Sequence, residues 1–209
     1  MFDYIRDPAE IHKRSFETVR AETDVSGLSA DEAALTVRLV HACGMPDIVR
    51  NLVFGPGALK VGRAALGEGA AILTDVEMVR HGIIRARLPA DNPVLCMLHD
   101  AGVKERAAEQ GTTRSAAAVD LWREGLEGSV VAIGNAPTAL FRLLEIIGDG
   151  VAPPAMIAAF PVGFVGAAES KEALIDFAAA KAIPFVTLKG RWGGSALAAA
   201  CVNAMGENE

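Results

Sequence analysis

The sequence predicts an α/β protein built on a mainly parallel, doubly wound sheet. Three observations carry that prediction. Five short apolar runs, at 70–74, 94–99, 129–133, 156–161 and 184–188, alternate with Ala- and Leu-rich segments of helical length. Hydrophobic residues make up 51% of the chain but aromatics only 5%, so Ala, Val, Leu and Ile must form the core. That composition suits strands covered on both faces better than a β-sandwich. A length of 209 residues allows one domain with a substantial core. We expect a single domain over 1–209, in which residues 1–50 form a helical region packed on the α/β core.

The elements follow in order. The stretch DPAEIHKRSFETVRAET carries Ile11, Phe16 and Val19 between charges, an amphipathic helix starting after Asp7-Pro8. Ser29-Ala-Asp-Glu32 is a capping box that opens a second helix. Gly44 stops it, with Pro46 just beyond, which puts His41 in its last turn. Further helices are expected over 57–68, 113–126, 136–147, 168–181 and 194–205, between the five strands. Ligands of such sheets bind beyond the carboxyl ends of the strands. There the chain places TDVEMVRHG, GNAPTA, PVGFVGAAESK and KGRWGGSA, whose glycines allow close backbone approach.

Several function classes are excluded or disfavoured. A net charge of −6 argues against a nucleic-acid binder. No apolar run reaches the ~20 residues that span a bilayer. The charged start MFDYIRDPAEIHKR lacks the apolar stretch of a signal peptide. Cys43, Cys96 and Cys201 have no metal-ligand spacing and read as reduced thiols of a cytoplasmic protein. There is no G-x-G-x-x-G after a strand, no phosphate-binding G-x-x-x-x-G-K-[ST], and no G-x-S-x-G elbow.

The residues that could carry chemistry are few. His41, at the end of the apolar run VRLVHACG, is either a packed core histidine or a group that moves a proton. Arg38 lies three positions earlier on the same helix face, and the two together suit an anionic ligand that needs a proton donor. Asp75, Glu77 and His81 hint at a metal, but the spacing for a third ligand is wanting and a solvated helix face explains them equally well. His12 and His99 have no evident partner. In GTTRSAAA, Thr112, Thr113 and Ser115 can cap a helix, while Arg114 in its first turn opposes the helix dipole unless it holds an anion. Ser195 in WGGSA is an N-cap by default and an anion donor if a pocket lies there.

These residues alone lead to an enzyme or binder of an anionic small molecule. A resemblance goes further. YIRDPAEIHKRSF, VRLVHACG, ILTDVEMVRHGI, GTTRSAAA, SVVAIGNAPTALF, PVGFVGAAESKEAL and KGRWGGSALAAACVNA resemble, in matching order from Tyr4 to Asn203, the precorrin-8X methylmutase family of cobalamin biosynthesis.

The resemblance implies a flavodoxin-like, three-layer α/β/α fold with a mainly parallel five-stranded sheet. It implies an isomerase without cofactor or metal, which moves a methyl group from C-11 to C-12 of a tetrapyrrole and turns precorrin-8X into hydrogenobyrinate. Its catalytic histidine falls on His41. Arg14, Ser15, Arg38, Thr112, Arg114 and Ser195, in matching motifs, become the expected contacts for the acetate and propionate carboxylates of the macrocycle. Members of the family are homodimers with the active site near the subunit interface. Two rivals are a non-catalytic tetrapyrrole carrier, which needs no proton donor, and a methyltransferase, which would bind an external methyl donor.

Overall fold

The computed structural model describes residues 2–206. The chain runs through α1 (Pro8–Glu22), α2 (Ala30–Cys43), a 3-10 turn (Pro46–Asn51), β1 (Leu52–Phe54), α3 (Ala58–Gly67), β2 (Ile72–Thr74) and α4 (Glu77–Gly82). A second 3-10 turn (Arg85–Arg87) leads to β3 (Val94–Cys96), then α5 (Val103–Gln110) and α6 (Arg114–Val119). β4 (Val130–Ile133), α7 (Pro137–Gly148), β5 (Met156–Ala159), α8 (Ala167–Lys181), β6 (Phe185–Leu188) and α9 (Ser195–Gly206) complete it. No helix among the described residues is long and apolar enough to cross a membrane.

The sheet has six strands in the order β1-β6-β5-β4-β2-β3. Five are mutually parallel, and in chain order they lie 2-1-3-4-5, the flavodoxin-like arrangement. The expected count of five is corrected by β1, which pairs antiparallel with β6, Leu52 opposite Leu188. β1 is three residues long and runs into Gly55-Pro56, too short a stretch to show a period of two. α4 and α5 are also additions, both short and interrupted by polar side chains.

Side chains of the central strands alternate between two cores, as a pleated strand requires. Val130, Ala132, Met156, Ala158, Val186 and Leu188 face one side, with Leu39, Leu66, Leu197 and Val202. Val131, Ile133, Ile157, Ala159 and Phe185 face the other, with Trp122, Leu140, Leu143 and Leu174. The first side is covered by α3, α4 and α9, the second by α6, α7 and α8. α9 is apolar on almost all sides because α2 lies on its outer surface, and α1 lies in turn on α2. At the start of α9, Gly134 lets the helix abut the end of β4: a Cβ there would come within 2.6 Å of the Ser195 Cα.

Local chemistry fixes the two outer helices. The Asp7 carboxylate accepts from the Glu10 N–H at 2.8 Å, and Pro8 opens α1. The Ser29/Glu32 capping box is present in full. Gly44 takes a left-handed φ of 68° and donates its N–H to the Val40 carbonyl, which ends α2 just after His41.

Candidate functional site

His41 projects from the last turn of α2 toward α1. Its Nδ1 lies 2.9 Å from the Ser15 hydroxyl, and its ring stacks on Phe16 at 4.7 Å with 28° between the planes. The His12 ring meets the same phenyl group at 4.4 Å and lies 6.3 Å from His41. With Nδ1 engaged by Ser15, Nε2 is the nitrogen left to address a ligand. Phe16, Arg38, His41, Ala42, Arg87, Ala200, Asn203 and Ala204 line a cavity of about 160 Å³ beside the ring. None of them belongs to the loops at the carboxyl ends of the strands, where a ligand was expected.

The floor of this cavity is α9, whose Ala200 and Ala204 leave space where larger side chains would fill it. Asn203, a polar residue in an otherwise apolar helix, accepts from the Ile84 N–H at 2.8 Å and donates to the Gly82 carbonyl at 3.0 Å. These bonds hold the segment that carries Arg87 against α9. Phe16, Arg87 and Asn203 also line the cavity, although no motif in the sequence singles them out as site residues. Phe16 stands next to Ser15 and one turn after His12, and Asn203 interrupts an apolar run; both are usable signals. Arg87 offers none, because only the fold returns its loop to α2.

The other expected residues are spread more widely. Arg38 lines the cavity with His41. Arg14 is exposed, and its Nε pairs with Glu10 at 2.5 Å. Thr112 and Arg114 are exposed at the start of α6, where Thr113 caps the helix and meets Thr138 at 2.7 Å. α6 covers the opposite side of the sheet from α2, so Thr112 and Arg114 stand apart from His41 within one chain. Ser195 is buried at the first turn of α9. Eight positions separate it from Asn203, about 12 Å along the helix axis.

Two buried charged groups shape the strand-end loops. Asp75, 2% exposed, accepts from the N–H groups of Gly134, Asn135 and Ala136 at 2.8–2.9 Å. Burial pushes its carboxyl up, against the three N–H donors that favour the ionised form. Lys171 is fully buried on α8 and donates to the Trp192 carbonyl at 2.5 Å. Burial lowers its ammonium to about 8. Glu77 is bound to Arg80 at 2.6 Å, which holds its carboxyl below the usual range, and it lies 3.3 Å from His81. Asp75 and Glu77 therefore have structural partners, and among the described residues no three or more His, Cys, Asp or Glu side chains gather in a way that could hold a metal ion.

Residues 10–207 match the family model described as precorrin-8X methylmutase. The chain belongs to the precorrin-8X methylmutase family. It is 58% identical over 205 residues to the precorrin-8X methylmutase of Pseudomonas aeruginosa, with 98% of each chain covered. To that of a Sinorhizobium species it is 56% identical over 204 residues, covering 98% of this chain and 96% of the relative. The crystal structure of precorrin-8X methyl mutase from Thermus thermophilus superposes with a TM-score of 0.84 at 34% identity, covering 94% and 95%. Membership makes the chain an isomerase of cobalamin biosynthesis. The α2 histidine and the cavity beside it thus lie in a fold shared throughout with methylmutases.

Proposed function

We propose that the chain converts precorrin-8X into hydrogenobyrinate by moving a methyl group from C-11 to C-12 of the macrocycle, with His41 as the proton donor. The observation that carries this reading is the Ser15–His41 hydrogen bond beside an arginine-lined cavity. Ser15 and the Phe16 stack fix the plane of the imidazole, so Nε2 addresses the cavity in one direction. A hydrogen bond from Nε2 to a macrocycle nitrogen draws electron density from the ring as the C-11–methyl bond breaks and the C-12–methyl bond forms. The methyl group never leaves the substrate, so the atoms balance without a donor or acceptor. Holding the ring in the geometry of migration supplies much of the remaining acceleration.

The arginines answer the anionic rim of the substrate. Arg38 and Arg87 are at the cavity itself, and a carboxylate is held well by the guanidinium fork. A volume of about 160 Å³ accommodates one edge of a tetrapyrrole rather than the whole ring. We therefore place the rest of the macrocycle against a second copy of the chain, which brings Thr112, Arg114 and Ser195 toward the His41 of its partner. Arg14 lies at the rim of α1, where release from Glu10 would let it join them. Support for a homodimer comes from an exposed apolar patch on the loops after β5 and β6. Phe164 and Val165 are 85% and 88% exposed, and Trp192 joins them. Two relatives that share more than half their residues with the chain carry the cobalt-free name, which favours the metal-free substrate. The three cysteines, all unpaired as thiols, accord with a cytoplasmic setting.

The test is the absorption spectrum of precorrin-8X mixed with wild type and with His41→Ala. Isomerisation keeps the mass and changes the conjugation. Conversion by wild type alone supports the proposal. Conversion by both removes His41 as proton donor, and binding without conversion by wild type points to a carrier.

A further inference from the structure

A second cavity adjoins the first. Phe16, Arg20, Val25, Ala33, Ala34, Val37 and Arg38 line about 320 Å³ between α1 and α2. Phe16 and Arg38 belong to both cavities, so the phenyl ring is the partition between this space and His41. The Arg20 and Arg38 guanidinium carbons lie 5.7 Å and 5.8 Å from the centre of that ring. The remaining walls are small apolar side chains. Arg20 is exposed, and it makes no ion pair among the described residues.

We propose that this cavity is a carboxylate subsite of the substrate pocket, where Arg20 and Arg38 hold one acidic arm of the macrocycle across the Phe16 ring from His41. The subsite rests on the tetrapyrrole reading above and adds Arg20, on which no motif drew, as a specificity-determining residue. Charge complementarity and continuity with the His41 cavity decide the occupant. A macrocycle edge seated at His41 carries carboxymethyl and carboxyethyl arms that reach a few ångströms beyond the ring. A cavity lined by Val25, Ala33, Ala34 and Val37 together with two arginines takes the methylene stem of such an arm against its apolar walls and the carboxylate against the guanidinium groups. The same arrangement disfavours an amidated arm, which brings no charge to offset the desolvation of the guanidinium groups.

The experiment is an equilibrium titration, followed by absorbance, of hydrogenobyrinate into wild type, Arg20→Gln and Arg50→Gln. It is repeated with the same macrocycle after its carboxylates have been converted to amides. Arg20→Gln is expected to weaken binding of the carboxylate form about tenfold. Arg50→Gln, on the surface turn before β1, removes the same charge from elsewhere and is expected to leave affinity unchanged. The amidated ligand is expected to bind wild type and Arg20→Gln alike. Equal affinity of wild type and Arg20→Gln for hydrogenobyrinate overturns the subsite. An equal loss for the carboxylate and amidated ligands also overturns it, because Arg20 would then be supporting α1 rather than reading charge. A wild type that binds neither ligand removes the tetrapyrrole reading along with the subsite.

Discussion

The Ser15 hydroxyl on α1 lies 2.9 Å from Nδ1 of His41 on α2, joining positions 26 residues apart. The bond decides which imidazole nitrogen faces the cavity. Ser15→Ala is expected to lower kcat about tenfold, one hydrogen bond's worth of orientation, with substrate affinity changed less than kcat. His41→Ala should abolish conversion while still binding hydrogenobyrinate. If Ser15→Ala alters KM alone, the serine contacts substrate instead of setting the histidine.

Phe16 supports the same imidazole from its face. Phe16→Leu keeps an apolar group but loses the stack, and it opens the partition between the two cavities. We expect a loss of about 1–2 kcal/mol in unfolding free energy and a larger fall in kcat than in affinity. Chemical denaturation with turnover assays checks both. Unchanged kcat would show that the stack is ordinary packing.

The distance between Arg114 and His41 within one chain predicts complementation. If each site takes His41 from one copy and Arg114 from its partner, inactive His41→Ala and Arg114→Ala proteins should regain activity when unfolded together and refolded as a mixture. Half the dimers would be mixed, each with one intact site of two, giving about a quarter of wild-type activity. No recovery would remove Arg114 from the site of His41.

The Lys171–Trp192 bond predicts a dependence on pH. The ammonium is lowered to about 8 in the folded chain against 10.5 ordinarily. The unfolded chain therefore binds more protons between those values, and the lysine's contribution to stability rises with pH through the window from about 8 to 10.5. Below pH 8 that contribution is flat and unfavourable. Lys171→Met removes the titration, so the Tm of wild type should gain on that of the variant as pH is raised from 8 to 10. Parallel pH profiles would mean that the lysine is not buried in charged form.

Asp75→Asn tests the strand-end loop. An amide can accept through one oxygen, but its NH2 then faces N–H donors that the carboxylate satisfied. We expect a destabilisation of about 2–4 kcal/mol with the protein still folded at 25 °C, measured by denaturant unfolding. A neutral result would show that Gly134–Ala136 hold their course without it.

The legible parts of the molecule were those with strong local rules. Asp7-Pro8, the Ser29/Glu32 box and Gly44 marked the ends of α1 and α2, because caps are fixed by neighbours in sequence. The five parallel strands announced themselves as apolar runs, since both faces are covered in all of them but β3, an edge strand that leaves Leu95 exposed. β1 did not, because an edge strand of three residues is defined by its partner β6. At the site, His41, Ser15 and Arg38 came from motifs, yet their relation came from the packing of α1 on α2. Arg87 and the second cavity depend wholly on that packing, and the wide separation of Arg114 from His41 follows from the two-faced sheet.

Asp75 has a consequence for how this fold is used. In flavodoxin-like sheets the crevice between the first and third parallel strands, at the N-terminus of a following helix, is where a phosphate settles. Here that place, just ahead of α7, is taken by the chain's own carboxylate, bound by the same three backbone N–H groups that would otherwise greet a phosphoryl oxygen. An internal carboxyl group has closed the nucleotide seat, and in the proposed function the acidic ligand is met instead by arginine side chains on the flanking helices. A scaffold widely employed to grip phosphate at that crevice thus has the position filled from within.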